Sequence, residues 1–417
     1  MVEGAAGTLS WFSPVPSLAK RQVWRGSGSG TTERMSVIRT LFVNEDLHGR
    51  HVLGTQAFEA ALRVGLQGRD DVDPRFLRVG PPRLAGRVLT HTVPLLHGAD
   101  LDFHHLRWFA VHARRTRRLI AAELAQRPAD VVHVNTHAVT LGAAPVPVGV
   151  PLLLSADAAV WDWRTMSSSL PVRRHSWRIY EHCRTLERRA LTRAHAVLAY
   201  TEWARGRLQE AAPKANVVHL QPGVDLDYFR PAPHEARQRH RLLFVGGRFR
   251  DKGGEDLLAA VGPRLGVDVE LDVVTSEPPR DRPGLRVHQL SRTDRRLVEL
   301  LQQADLFCLP THADTMSFAA MEALACGTPA VASAVAGVPE TVGDAGMTVR
   351  PGDVRGIREA VDALLADPAA LAQLRRRARR RAEERFDARG QTARLLDVAH
   401  DAARRRSAGL SASSRVA

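Results

Sequence analysis

Cysteine is scarce in this chain: only three occur among 417 residues, at Cys183, Cys308 and Cys326, and they show no metal-ligand spacing. Cys308 falls in an apolar run, so the expectation is reduced, buried thiols in a cytoplasmic chain rather than a disulfide framework. Aromatic residues are sparse at 5%. With no RNA-binding aromatic signature, no zinc-finger spacing and no recognition-helix unit, nucleic acid is not an expected partner. No apolar run approaches the length needed to span a bilayer. The amino terminus lacks a charged start followed by an apolar core, so no signal peptide is expected.

Positive charge, by contrast, is plentiful. There are 59 Lys and Arg against 45 Asp and Glu, a formal net charge of +14. Such a balance suits nucleic acid, an anionic membrane surface or a phosphorylated substrate. The arginines cluster at Arg114, Arg115, Arg117 and Arg118, at Arg375–Arg377 and Arg379–Arg381 on a late helix, and at Arg404–Arg406 in a Ser/Ala-rich tail. Two readings fit them: a solvated surface, or a peripheral contact with anionic head groups on the cytoplasmic face of a membrane. The positive surface also favours a lipid-linked or anionic substrate.

The length exceeds the usual range of a single core, and hydrophobic content of 44% supports globular packing. Short apolar runs alternate with amphipathic stretches, which predicts βα units and mostly parallel sheets covered on both faces. Residues 1–36, rich in Gly, Ser and Thr, read as a disordered or extended segment. A first α/β domain is expected over 37–222, with strands at IRTLFVN, VVHVN, PLLLSAD and Ala196–Ala199. A linker is expected over 223–240. A second domain follows over 241–385, with strands in RLLFVGG, VELDVVT, LRVHQL, ADLFCLP, PAVASA and AGMTVR, then a helix and flexible tail over 386–417. Two such domains place the default site in the cleft between them, beyond the carboxyl ends of the strands.

Three segments carry chemistry. In FVGGRFRDKGG, Gly246 and Gly247 allow tight turning and close approach of a ligand to the backbone. Arg248 and Lys252 are placed to reach phosphate beside a helix amino end. The segment is neither a dinucleotide GxGxxG nor a Walker loop, and a plain turn bearing surface cations is the other reading. After ADLFCLP, Asp314 lies in a loop eight residues before Glu322, which is set among Ala319, Ala320, Met321, Ala323, Leu324 and Ala325 on a helix expected from Met316 to Cys326. A buried carboxylate there needs hydrogen-bond donors; sugar hydroxyls would serve, and so would nearby backbone. AGVPE then sets Glu340 at the next strand end. In the first domain, His133 reads as a core histidine, and Asn135, His137, Asp157 and the HGRHV segment around Gly49 read as nearer the cleft.

These segments together resemble the retaining glycosyltransferases of family 4, over roughly residues 38 to 390 and most closely in the second domain. The matching stretches are FVGG…KGG, ADLFCLP, the Asp314–Glu322 pair, CGTPAVAS, AGVPE and QPGVDLDYFRP. The resemblance implies a GT-B fold, two Rossmann-like αβα domains facing across a cleft, the first on the acceptor side and the second binding a nucleotide-diphosphate sugar. It implies sugar transfer to an acceptor hydroxyl of a glycan, lipid or small metabolite, without a metal or any tightly bound cofactor. A non-catalytic nucleotide- or glycan-binding protein of the same fold is the alternative. In the family's terms Glu322 holds the ribose, Asp314 lies near the donor sugar, and Lys252 contacts the donor phosphates. Met316, Ser317 and Phe318 border backbone amides presented to the donor sugar, and Arg248 stands one residue after the usual companion arginine. Asp314 occupies a position where Glu is common, and a usual E-G-F-G lead-in reads D-T-M-S.

Overall fold

The structure is a computed structural model that describes residues 37–46, 53–82, 104–144, 146–147, 149–162, 177–233 and 237–413. The amino-terminal segment 1–36 and the HGRHV segment fall outside these residues.

The described residues build two six-stranded sheets, and every strand pair in them is parallel. The first has the order β2-β1-β3-β4-β5-β6, with β1 Ile38–Glu45, β2 Val72–Val79, β3 Val131–Asn135, β4 Leu152–Ala156, β5 Ala196–Ala199 and β6 Val217–His219. The second has the order β12-β11-β10-β7-β8-β9, with β7 His240–Val245, β8 Val269–Val274, β9 Leu285–His288, β10 Leu306–Leu309, β11 Ala330–Ser333 and β12 Gly346–Val349. Both faces of the first sheet are buried. Leu41 and Val43 pack to one side with Val132, Val134, Leu154 and Val197, and Phe42 packs to the other with Leu153 and Leu198. That two-sided burial explains runs of consecutive apolar residues in place of alternation.

The strand order reverses between β1 and β3 in the first sheet and between β7 and β10 in the second. At each reversal neighbouring crossovers run to opposite faces and leave a crevice beyond the carboxyl ends. Glu45 and Asn135 end the strands at the first crevice. The glycine loop after β7 and the loop after β10 flank the second.

β2 is not evident from the sequence. It carries Pro74, and six of its eight positions are part-exposed or exposed. Proline cannot donate to a ladder and is tolerated on an edge strand, which is where β2 lies. The late arginines also differ from expectation. Arg404–Arg406 lie on the helix Ala388–Ser413, not in a tail. Within the helix Pro368–Arg385, Arg375 donates to the carbonyls of Ala304 and Gln302, and Arg379 to those of Leu226, Phe229 and Ala325. Arg381 donates to Thr341 and Glu340. Half of that cluster therefore ties the linker and the helix ends together.

The helix Ala388–Ser413 returns to the first sheet, burying Leu395, Leu396, Ala399 and Ala402. A β-carbon on Gly65 would lie 2.0 Å from Thr392 Oγ1, so the helix Leu53–Gly65 meets the returning helix only through glycine.

His133 is a core histidine. It is fully buried between Phe42 and Phe58, with Nε2 2.8 Å from Ser155 Oγ. Burial pushes the ring from its ordinary 6.5 down to about 3. The unfolded chain takes up this proton near 6.5 and the folded chain does not. Stability from this residue is thus complete above pH 6.5 and falls as the pH is lowered, by up to about 1.4 kcal/mol per unit. Urea unfolding of His133→Gln is expected to flatten the loss between pH 6.5 and 5 by roughly 2 kcal/mol. Equal slopes in both proteins would contradict the assignment.

Candidate active site

The glycine loop after β7 is shaped by close approaches. A β-carbon on Gly246 would sit 3.0 Å from the Lys252 Cβ, and one on Gly253 (φ 76°) would sit 1.8 Å from the Pro310 carbonyl oxygen. The loop therefore lies against the end of β10, its neighbour in the sheet. That contact brings Lys252 Nζ to 2.7 Å from Asp314 Oδ2 and 3.1 Å from the Ala313 carbonyl. Gly247 holds the loop's outer side, its carbonyl accepting from Ser276 Oγ at 2.6 Å. Arg248 is different: it is 60% exposed and paired with Asp251 at 2.9 Å. The helix Gly254–Val261 that follows carries Glu255 and Asp256 in its first turn, and His312 pairs with Asp256.

The helix after β10 spans Phe318–Ala325, starting later than expected because Ser317 is its N-cap, Oγ accepting from Ala320 N at 3.1 Å. Met316 and Ser317 therefore lie in the lead-in. Glu322 is buried on this helix, and its partner is a side chain. Arg292, in the loop after β9, places Nε and Nη2 each 2.7 Å from Oε1. Glu322 Oε2 has no hydrogen bond among the described residues. Burial raises the Glu322 carboxyl above the usual range, while the charge and hydrogen bonds of Arg292 pull it back. The Arg292 guanidinium also lies 5.7 Å from the centre of the Phe229 ring, within cation–π range. Phe229 belongs to the linker, where Asp225 Oδ1 accepts from the amides of Asp227 and Tyr228; the DLD sequence is a turn.

A cavity of 480 Å³ opens where the two crevices meet. Asp314, Thr315, Met316 and Phe318 line it from the second sheet's side; Glu45, Asn135, Thr136, Asp157 and Tyr200 line it from the first. The geometry thus gathers Asp314, Met316 and Phe318 at the cavity and reaches Lys252 through Asp314. Gly246, Gly247, Arg248, Ser317 and Glu322 are not in its lining; Glu322 is one helical turn beyond Phe318, on the same helix face. His137 is held away from the cavity, fully buried with Nε2 2.7 Å from Glu187 Oε1.

Several contacts escaped sequence reasoning. Thr315 Oγ1 donates to Asp157 Oδ2 at 2.7 Å, directly across the cleft. Burial raises the Asp157 carboxyl; the hydrogen bond from Thr315 and the charge of His137 oppose that shift, and Asp314 adds to it. Glu340 accepts from the backbone amides of Glu202 and Trp203, each at 2.7 Å, and so caps the helix Glu202–Ala211 of the first domain. Gly337 allows this approach, since a β-carbon there would be 2.5 Å from Thr201 Cγ2. Glu340→Ala is expected to lower unfolding stability by about 1 kcal/mol through loss of the cap, read by denaturant midpoint. An unchanged midpoint would contradict that role. Thr136 has φ 71° and ψ 114°, an unusual conformation for a β-branched residue, and its hydroxyl donates to Glu45. No sequence signal marks it.

A family model described as glycosyl transferases group 1 matches residues 239–367. The chain is 30% identical over 287 residues to a GDP-mannose-dependent alpha-(1-6)-phosphatidylinositol monomannoside mannosyltransferase of Mycolicibacterium smegmatis, covering 61% of this chain and 74% of that one. The chain belongs to the group 1 glycosyltransferases. A second relative, the MMP alpha-(1->4)-mannosyltransferase of Mycolicibacterium hassiacum, is 34% identical over 195 residues, or 43% of this chain. There the chain spans about half the length of the curated relative, 47%. A sucrose-phosphate synthase structure from Thermosynechococcus elongatus superposes with a TM-score of 0.64 at 19% identity, covering 87% of this chain and 98% of that one. That likeness shows the shared GT-B fold. Among the described residues no group of three or more His, Cys, Asp or Glu is placed to hold a metal ion, and no helix is long and apolar enough to cross a membrane.

Proposed function

We propose that this protein is a retaining glycosyltransferase that moves a sugar from a nucleoside-diphosphate sugar to an acceptor hydroxyl in the cleft. The observation that carries the reading is Lys252: a cation fixed at the meeting of the β7 and β10 loops, 2.7 Å from a carboxylate that lines the cavity. In the reaction the bond between the donor's anomeric carbon and its phosphate oxygen breaks, and the acceptor oxygen bonds that carbon on the same face. The acceptor's proton passes to the departing phosphate. Negative charge grows on that phosphate, and Lys252 would stabilise it where surrounding protein excludes bulk water. The sugar passes through an oxocarbenium-like state.

Glu322 would accept the ribose hydroxyls through Oε2, with Arg292 holding the carboxylate through Oε1. Asp314 would exchange its contact with Lys252 for one with the donor sugar. Gly246 and Gly247 would let the phosphates approach the backbone, Arg248 would turn toward them, and the amides around Met316, Ser317 and Phe318 would face the sugar. The first domain supplies the acceptor wall. The protein acts in the cytoplasm, and the outward arginines Arg376, Arg380, Arg404 and Arg405 would meet an anionic membrane surface.

Screening nucleotide sugars by nucleoside-diphosphate release, with and without acceptors, tests the proposal. Release with at least one donor that rises on adding a hydroxyl acceptor is expected. Nucleotide binding without release under any combination would favour the non-catalytic alternative.

A further inference from the structure

We propose that Arg292 is a positioning residue for the donor, and that through Glu322 it makes the site prefer ribonucleoside over 2′-deoxyribonucleoside diphosphates. This rests on the reading that Glu322 meets the donor's ribose. Arg292 Nε and Nη2 converge on Glu322 Oε1, each at 2.7 Å, and Oε2 takes no hydrogen bond from the described residues. One oxygen is thus occupied by a cation and the other is left to accept. A single ionised oxygen held in one direction suits the adjacent 2′- and 3′-hydroxyls of a ribose.

Without that cation the carboxyl group changes character. Glu322 is 3% exposed and set among alanines, and burial favours its neutral form. A neutral carboxyl accepts hydrogen bonds more weakly than a charged one. Other titratable groups stand near it, Tyr228 in the linker and Cys326 one turn along the helix. Arg375 and Arg379 act on Cys326 but are committed to backbone carbonyls. Arg292 is the cation that bears on the Glu322 carboxyl itself. The arginine is in turn held from two sides. Its guanidinium lies 5.7 Å from the centre of the Phe229 ring, and the Tyr228 hydroxyl donates to the Thr293 carbonyl at 3.2 Å. Asp294 caps the helix Arg295–Gln303 by accepting from Arg296 N at 2.9 Å. The linker and a helix cap therefore pin the loop after β9, and Arg292 offers a preset fork in place of a mobile cation.

The test measures binding to the full chain by calorimetry, with UDP, GDP and ADP each set against its 2′-deoxy counterpart. The wild type is expected to bind at least one ribonucleotide about 10- to 100-fold more tightly than its 2′-deoxy form, the range for one hydrogen bond to a charged group. Arg292→Met should narrow that ratio about tenfold. Arg292→Lys, which keeps a cation but loses the fork, should give an intermediate ratio. Thermal transitions report whether each variant is folded. A merely structural arginine would weaken both nucleotides alike and leave the ratio where it was. Equal binding of the two forms by the wild type, or an unchanged ratio in folded Arg292→Met, overturns the inference. If Arg292→Met does not fold, an unchanged ratio in Arg292→Lys does the same. Binding of no nucleotide at all overturns the transferase reading instead.

Discussion

Lys252→Ala is expected to lower kcat by about 10²- to 10³-fold at saturating donor, the usual loss when one donor to developing negative charge is removed. KM for the nucleotide sugar should rise less, because the charge on the leaving phosphate is largest in the transition state. The ammonium is held between Asp314 Oδ2 and the Ala313 carbonyl by a loop that glycines press against Pro310. Asp314 is short, which suits a close contact with Lys252; Asp314→Glu would lengthen the carboxylate by one methylene and crowd that contact. Unchanged kcat in Lys252→Ala would remove the lysine from the reaction.

Glu322→Gln is expected to lower kcat/KM for the donor about 10- to 100-fold, the range for a charge-assisted hydrogen bond made in a buried site. The substitution keeps shape and an acceptor for Arg292, so the protein should stay folded, and its thermal transition should confirm that. The same variant reads a pH effect. Burial holds the Glu322 carboxyl above its ordinary range, so protonation as pH falls would withdraw the ribose acceptor early. Donor affinity of the wild type should weaken on the acid side, and Glu322→Gln should lose that limb. A folded variant with normal donor KM and the same acid limb would sink the ribose assignment.

The second domain was the more legible half. Its strands are short apolar runs bounded by Gly and Pro, and the candidate residues Lys252, Asp314 and Glu322 sit in the loops and the helix that follow those strands, where local pattern reaches them. What could not be read is whatever depends on contact between distant segments. Arg292 lies 30 residues from Glu322 in a loop with no periodicity, so the carboxylate's need for a donor was visible but its partner was not. The sequence places Glu340 only at a strand end, because a helix cap drawn from another domain leaves no local trace. Thr136 and β2 are similar cases: one is a backbone angle imposed by packing, the other a Pro-bearing edge strand. Arginine runs misled for a related reason, since the periodicity of a helix sends alternate members of a run to carbonyls and to solvent.

The position of a bound nucleoside diphosphate, determined in a crystal of the full chain, tests the central claim most directly. Diphosphate oxygens are expected within hydrogen-bonding distance of Lys252 Nζ, with ribose hydroxyls on Glu322 Oε2 and a lengthened Lys252–Asp314 contact. A nucleotide seated away from the β7 and β10 loops, with the Lys252–Asp314 pair intact, would contradict it.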